Sequence, residues 1–254
     1  MKLEGRAALV TGGGTGVGRA TALGLAERGC AVLVNYSRSR DAAEEVAERV
    51  RAHGVGALAM QGDVARDADC RALVERAVAE LGRQDQLVNN AGTTRFIAHA
   101  DLDAVGDADW EHIFGVNLKG AFQCARAARD ALKADGGGEI VNVSSVAGIV
   151  GTGSSIPYCA SKAALNNLTL TLARVMGPEV RVNAVAPGFI TGDWLREGMG
   201  PQAYEAVKGA LEGRVPLRRV CDPEDVRDAI LGLVEGSDLV TGQVLVCDGG
   251  MTLA

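Results

Sequence analysis

The sequence predicts an α/β protein, a single domain in which a doubly wound, parallel, seven-stranded sheet is flanked by helices. Three observations carry this expectation. Short β-branched runs alternate with longer stretches whose apolar residues recur at helical spacing, the pattern of repeated strand–helix units. A glycine-rich turn separates the first such run from the first helical stretch. Length agrees, because 254 residues suit one domain whose folding buries about three quarters of the unfolded chain's surface.

Strands are expected at Ala8–Val10, Ala31–Asn35, Ala57–Gln61, Gln86–Asn89, Glu139–Val143, Arg181–Val185 and Gln243–Val246. Most are apolar throughout, as strands buried on both faces should be. Helical periodicity marks Val17–Arg28, Asp41–His53, Asp67–Leu81, Trp110–Lys133, Pro157–Met176 and Pro223–Glu235. Pro157 and Pro223 stand where a first helical turn tolerates proline, whose missing N–H would be unpaired there anyway. No low-complexity linker or charge block divides the chain, so residues 1–254 read as one unit. Gly192–Leu217 is the one long excursion that sheet and helices do not absorb, a candidate substrate lid. In and beside it, Phe189, Trp194, Leu195, Met199 and Tyr204 either line a pocket or pack the excursion onto the body.

Composition narrows the function classes. A net charge of −6 with acids and bases interspersed offers no basic face for nucleic acid. The opening MKLEGRAALVTGG is too briefly apolar for a secretory signal, and no apolar run approaches the roughly 18 residues of a membrane span. A soluble, cytoplasmic protein is expected. The six cysteines lie at least 26 positions apart, without a CxxC pair, and read as free thiols. His53, His99 and His112 pair with no cysteine or acid at ligand spacing, so no metal site is expected.

The first strand runs into Thr11-Gly12-Gly13-Gly14-Thr15-Gly16-Val17-Gly18, and a helix follows at once. A glycine turn on a helix N-terminus aims backbone N–H groups and the positive dipole end at an anion, here a dinucleotide pyrophosphate. That makes the fold Rossmann-like and makes Gly12, Thr15, Gly16, Val17 and Gly18 candidate cofactor contacts. Cofactor choice falls to the end of the second strand, where an acid would bond the ribose of NAD. The chain instead reads Asn35-Tyr36-Ser37-Arg38. Arg38 can approach a 2′-phosphate at an attraction of roughly 4 kcal/mol before desolvation, and Ser37 can donate to it. NADP(H) is the expected cofactor.

The strand ending in Ser144-Ser145 is followed, thirteen residues past Ser145, by Tyr158-Cys159-Ala160-Ser161-Lys162. Positions i and i+4 share a helix face, so Tyr158 and Lys162 point into one cleft. An ammonium beside a phenol favours the phenolate, which tunes Tyr158 as general acid in carbonyl reduction and base in the reverse. Ser145 is expected to bond the same substrate oxygen, with Ser144 the lesser candidate. Cys159, about 100° around the helix from Tyr158, is read as non-catalytic.

With these motifs, together with Asp63-Val64, Asn89-Asn90-Ala91-Gly92, Asn117, Pro187-Gly188 and Asp248-Gly249-Gly250, the chain resembles the short-chain dehydrogenase/reductase family over residues 3–250. The resemblance implies that Asp63 bonds the adenine amino group with Val64 flanking the ring, and that Asn90 supports the central strands beside the cofactor. It implies cofactor contacts at Tyr36, Ala91, Gly92, Pro187, Gly188 and Ile190, the last through its backbone toward the carboxamide. Asn117 is similar to the fourth catalytic residue, which helps hold a proton-relaying water at Lys162. Family members form tetramers through segments similar to Trp110–Lys133 and Pro157–Met176, which implies a homotetramer. Two places depart from the pattern: Gly192 stands where members often carry threonine, with Thr191 before it. Within the family the chain most resembles 3-oxoacyl-acyl-carrier-protein reductases, yet their basic docking positions read Gly136-Gly137-Gly138 and Gly177-Pro178-Glu179.

The implied activity is NADPH-dependent reduction of a ketone, such as a 3-oxoacyl thioester, to a secondary alcohol. The same acid/base pair would serve a dehydrogenase of a sugar, polyol or steroid alcohol. A non-catalytic cofactor sensor has no need of Asn117, Ser145, Tyr158 and Lys162 together.

Overall fold

The computed structural model describes residues 2–253. Its strands are β1 (Ala7–Val10), β2 (Ala31–Tyr36), β3 (Ala57–Gln61), β4 (Gln86–Asn89), β5 (Gly138–Val143), β6 (Val180–Pro187) and β7 (Val244–Cys247). They form one parallel sheet in the order β3-β2-β1-β4-β5-β6-β7. The chain winds outward from β1 to β3 and then resumes at β4 on the other side of β1. The strand order therefore reverses between β1 and β4, where a crevice opens beyond their carboxyl ends.

Every expected strand is present with ends within two residues. The first helices are α1 (Gly16–Ala26), α2 (Arg40–Arg51) and α3 (Asp67–Leu81), each within two residues of its expected bounds. The long helix expected at Trp110–Lys133 is instead α4 (Asp107–Phe114), a π-helical turn (Gly115–Gly120) and α5 (Ala121–Lys133). Gly120 is part of the reason, since a Cβ there would lie 2.8 Å from Val64 Cγ2 and the backbone must pass close. After α6 (Ala147–Val150) comes α7 (Ile156–Met176). Buried Ser155 caps α7 by accepting the Tyr158 N–H, with proline in the first turn.

The stretch 192–217, expected to lie outside helices, is largely helical: α8 (Asp193–Met199) and α9 (Pro201–Arg214). Gly192 and Gly200, at φ +137° and +82°, punctuate these helices in conformations that side chains disfavour. Further glycines at 198, 209 and 213 dilute the helical signal in the sequence. Finally α10 (Pro223–Glu235) agrees with its expected bounds.

The central strands are buried on both faces, while β3 and β7 at the sheet edges are partly exposed. Along β1, Ala8 and Val10 point into one apolar layer with Leu25, Val46 and Ile230, while Leu9 points into the other with Leu73, Leu87 and Leu132. Each fully buried leucine contributes about 2 kcal/mol. The amino end of the sheet is pinned by charge. Glu139 is wholly buried and grips Arg181 through two hydrogen bonds of 3.0 and 2.6 Å, and Arg181 also donates to the carbonyls of Leu233, Val234 and Val240. Burial pushes the Glu139 carboxyl up to about 7 even with Arg181 beside it. Removing one member of a buried pair strands the other, at a cost of about 3–5 kcal/mol. Arg181→Met is expected to lose that much in denaturant unfolding, with partial recovery when Glu139→Gln is added. A loss below about 1 kcal/mol, the range of exposed pairs, would show the clamp to be dispensable.

Candidate active site

The crevice floor is built from backbone-directed hydrogen bonds. Thr11 Oγ accepts the N–H groups of Asn90 and Ala91, both at 3.0 Å. Asn90 Nδ2 returns across the gap to the carbonyls of Thr11 and Gly12, each at 3.0 Å. Asn35, at the end of β2, accepts the Gly12 N–H and donates to the Gly62 carbonyl, tying the glycine turn to β3. A Cβ on Gly18 would stand 2.2 Å from the Gly12 carbonyl oxygen, so only glycine lets α1 sit this close to the turn.

Gly12 and Gly16 hold φ of +60° and +49°, and the space beyond Gly16 is open. No side chain caps α1 and no acid lies in its first turn, which leaves its N-terminal N–H groups facing the crevice. This open, acid-free cradle fits a pyrophosphate.

The adenosine side was anticipated at β2 and β3. Tyr36 is buried, while Ser37 and Arg38 are exposed past the strand end. Among the described residues Arg38 has no ion-pair partner. Asp63 is exposed and braces its turn by accepting the Ala65 N–H, while Val64 is buried beside Gly120. On the opposite side, β6 ends in Pro187 and Gly188, and Ile190 pairs with Cys221 in an isolated bridge. Thr191 has its hydroxyl committed to Asp222, the N-terminal cap residue of α10, and its N–H to the Cys221 carbonyl. Gly192 donates its N–H to the Tyr204 hydroxyl instead.

Ser145, Tyr158 and Lys162 lie together, and Asn117, expected from the family resemblance alone, stands beside them. Ser145 Oγ accepts the Ala147 N–H and stands near the Tyr158 hydroxyl, where it favours the phenolate. Ser144 is turned away, donating to Asn166 Oδ1 at 2.6 Å. Lys162 is buried, donates to the Val143 carbonyl at 2.8 Å and lies 5.7 Å from the Tyr158 ring centre. A Cβ added to Gly92 would be equidistant, at 3.7 Å, from Lys162 Nζ and Asn117 Oδ1. The glycine therefore opens room where the two polar groups meet.

Asn117 belongs to the π-helical turn, where its amide accepts the Thr93 N–H and donates to the Thr93 carbonyl and Ser161 Oγ. Ser161 in turn donates to the Tyr158 carbonyl. Thr93, Ser155 and Ser161 are supports that sequence reasoning missed. Only Ser155 had a sequence signal, a serine two residues before a proline at a helix start.

Protonation departs from expectation. Burial pushes the Tyr158 hydroxyl up to about 12, against the lowering influence of Ser145. The Lys162 ammonium does not offset this, and burial brings Lys162 itself down to about 8. Tyr158 is thus held as a protonated acid at neutral pH. Above it stands an aromatic wall: Trp194 lies 6.2 Å from the Tyr158 ring and 6.3 Å from Phe96, and Gly198 lets α8 close against Phe96. Tyr204 is buried against Phe189 at 5.4 Å, so of the α8–α9 aromatics it packs the segment down while Trp194 faces the site.

Residues 12–252 match the family profile described as enoyl-(acyl carrier protein) reductase. A Streptomyces violaceoruber protein named as a ketoacyl reductase of the granaticin polyketide synthase is 44% identical over 250 residues, 98% of this chain and 97% of that protein. The 3-oxoacyl-(acyl-carrier-protein) reductase FabG of Staphylococcus aureus is 37% identical over 253 residues, 99% of each chain. A solved Burkholderia xenovorans structure described as a short-chain dehydrogenase/reductase aligns at a TM-score of 0.90 and 38% identity over 98% of both chains. In sequence along nearly its whole length, and in fold, the chain belongs to the short-chain dehydrogenase/reductase family of oxidoreductases, whose members use nicotinamide cofactors.

Proposed function

We propose that the chain reduces a ketone, a 3-oxoacyl thioester or a similar carbonyl, to a secondary alcohol with NADPH. The observation that carries this reading is the grouping of Ser145, Tyr158 and buried Lys162 together with the acid-free glycine cradle at the start of α1. The bound cofactor supplies the hydride. The α1 N–H groups and the Gly12–Gly18 turn hold its pyrophosphate, Ser37 and Arg38 its 2′-phosphate, and Asp63 and Val64 its adenine. Ala91, Gly92, Pro187, Gly188 and Ile190 flank its other half.

Ser145 orients the substrate oxygen, and the Tyr158 hydroxyl donates its proton to that oxygen as negative charge develops. Asn117 fixes the Thr93 backbone and, through Ser161, the helix turn that carries Tyr158. A protonated Tyr158 favours reduction over alcohol oxidation. The positions that dock a carrier in the resembled reductases hold no free cation here: Lys133 is paired with Glu179 at 3.2 Å. The proposed substrate is accordingly a free or CoA-linked carbonyl. Exposed Phe122, Leu170 and Val175 on α5 and α7 support a homotetramer assembled through those helices. Gly192–Leu217 is proposed as the substrate lid, with Trp194 its contact to the site.

Tyr158→Phe should keep NADPH binding and lose at least about a hundredfold in turnover with acetoacetyl-CoA. Turnover near wild type would remove Tyr158 from the mechanism. Arg38→Ala should lower kcat/KM for NADPH by roughly tenfold, the loss of a charge-assisted hydrogen bond, and leave NADH unchanged. Equal effects on both cofactors would mean that Arg38 does not read the phosphate. In the reductive direction, kcat/KM should be level through neutrality and fall as pH rises past about 8, where Lys162 gives up its proton while Tyr158 keeps its own. A rate still climbing above that point would contradict the assignment.

A further inference from the structure

Cys221, just ahead of α10, and Cys247, at the end of β7, lie side by side outside the catalytic cluster. The Cys221 thiol donates to the Cys247 carbonyl at 3.0 Å, and the Cys247 thiol donates to the Asp225 carbonyl at 3.8 Å. A cavity of about 340 Å³ is lined by both cysteines together with Arg219, Asp225, Asp248 and Gly249.

Their surroundings make them unequal. Cys247 is half-buried and lines the cavity, where its thiol is within reach of a small solute. Cys221 is buried, its thiol held against the Cys247 carbonyl, and burial pushes that thiol up. One is therefore the accessible nucleophile and the other a protected reserve, the arrangement of an attacking and a resolving cysteine.

Both are bonded to the segment that bounds the crevice on the β6 side. Gly188 donates its N–H to the Cys247 carbonyl at 3.0 Å, Cys221 to the Phe189 carbonyl at 3.0 Å, and Thr191 to the Cys221 carbonyl at 2.8 Å. Closing a disulfide would bring the two sulfurs to about 2.05 Å and draw both backbones with them.

We propose that Cys221 and Cys247 form a modification site for hydroperoxides, closing to an intramolecular disulfide that displaces the Pro187–Thr191 segment and weakens cofactor binding. The effect on binding rests on the reading of that segment as flanking the nicotinamide half of the cofactor. The Cys247 thiolate attacks a peroxide oxygen; the S–O bond forms, the O–O bond breaks, and the departing hydroxide takes a proton to become water. The Cys221 sulfur then attacks the Cys247 sulfenic sulfur; the S–S bond forms, the S–O bond breaks, and a second water leaves. In sum, two thiols are oxidised by two electrons and one hydrogen peroxide is reduced to two waters.

A second thiol pair serves as an internal comparison. Cys70 and Cys124 stand 3.5 Å apart, sulfur to sulfur, fully buried between α3 and α5. Proximity without access should leave them reduced.

The test treats the folded chain with hydrogen peroxide, alkylates remaining thiols and maps them by mass spectrometry, alongside a fluorescence titration with NADPH. The expected result is a Cys221–Cys247 crosslink reversed by dithiothreitol, with NADPH binding weakened severalfold and restored on reduction. Cys247→Ser should abolish both changes. Free, alkylatable thiols at both positions after peroxide would overturn the site, as would a Cys70–Cys124 crosslink in its place or Cys247 oxidised to sulfinic acid beside a free Cys221. A crosslink that leaves NADPH affinity unmoved would overturn the coupling to the cofactor site alone. Failure of the untreated chain to bind NADPH would fall on the functional reading instead.

Discussion

The Asn90 amide spans the one place where the sheet's strand order reverses. By donating to the carbonyls of Thr11 and Gly12 while its own N–H bonds Thr11 Oγ, it fastens the end of β4 to the end of β1. Both peptide groups would otherwise end in the crevice unpaired, at roughly 1–3 kcal/mol each. The glycine turn takes its shape from this tie, and α1 takes its seat from the turn through the contact of Gly18 with Gly12. A cradle made of bare backbone is stable because side chains behind it, Asn90 and Asn35, hold it open.

The acid/base group depends on the same logic one layer out. Lys162 is fixed by the Val143 carbonyl, Asn117 by Thr93, and the Tyr158 turn by Ser155 on one side and Ser161 on the other. The Lys162 and Asn117 side chains and the Tyr158 turn are fixed in advance. Such preorganisation suits the proposed reading, in which a phenol and a hydroxyl meet a carbonyl oxygen.

The sheet was legible because parallel strands buried on both faces leave continuous apolar runs, as Leu9, Leu33 and Ile140 show from β1, β2 and β5. The convergence of Ser145, Tyr158 and Lys162 was legible because helical spacing and a strand end are local properties. The π-helical turn was not, since its cause is a backbone approach between Gly120 and Val64, more than fifty residues apart. The helices at 193–214 were hidden by their own glycines, which tertiary contacts such as Gly198 on Phe96 require. The raised Tyr158 pKa was not legible in the sequence, because spacing shows a neighbouring cation but not the depth at which the phenol is buried.

The buried clamp of Glu139 and Arg181 has an electrostatic consequence for the other end of the same strand. Six residues separate Glu139 from Ser145, which at about 3.3 Å per residue is roughly 20 Å. With Glu139 ionised the clamp presents a closed dipole rather than a net charge, and even one unit charge at roughly 20 Å acts by only about 0.8 kcal/mol at an effective dielectric near 20. The two ends of β5 are therefore only weakly coupled electrically. A proton exchanged at the clamp shifts the acidity of Tyr158 by less than about one pKa unit.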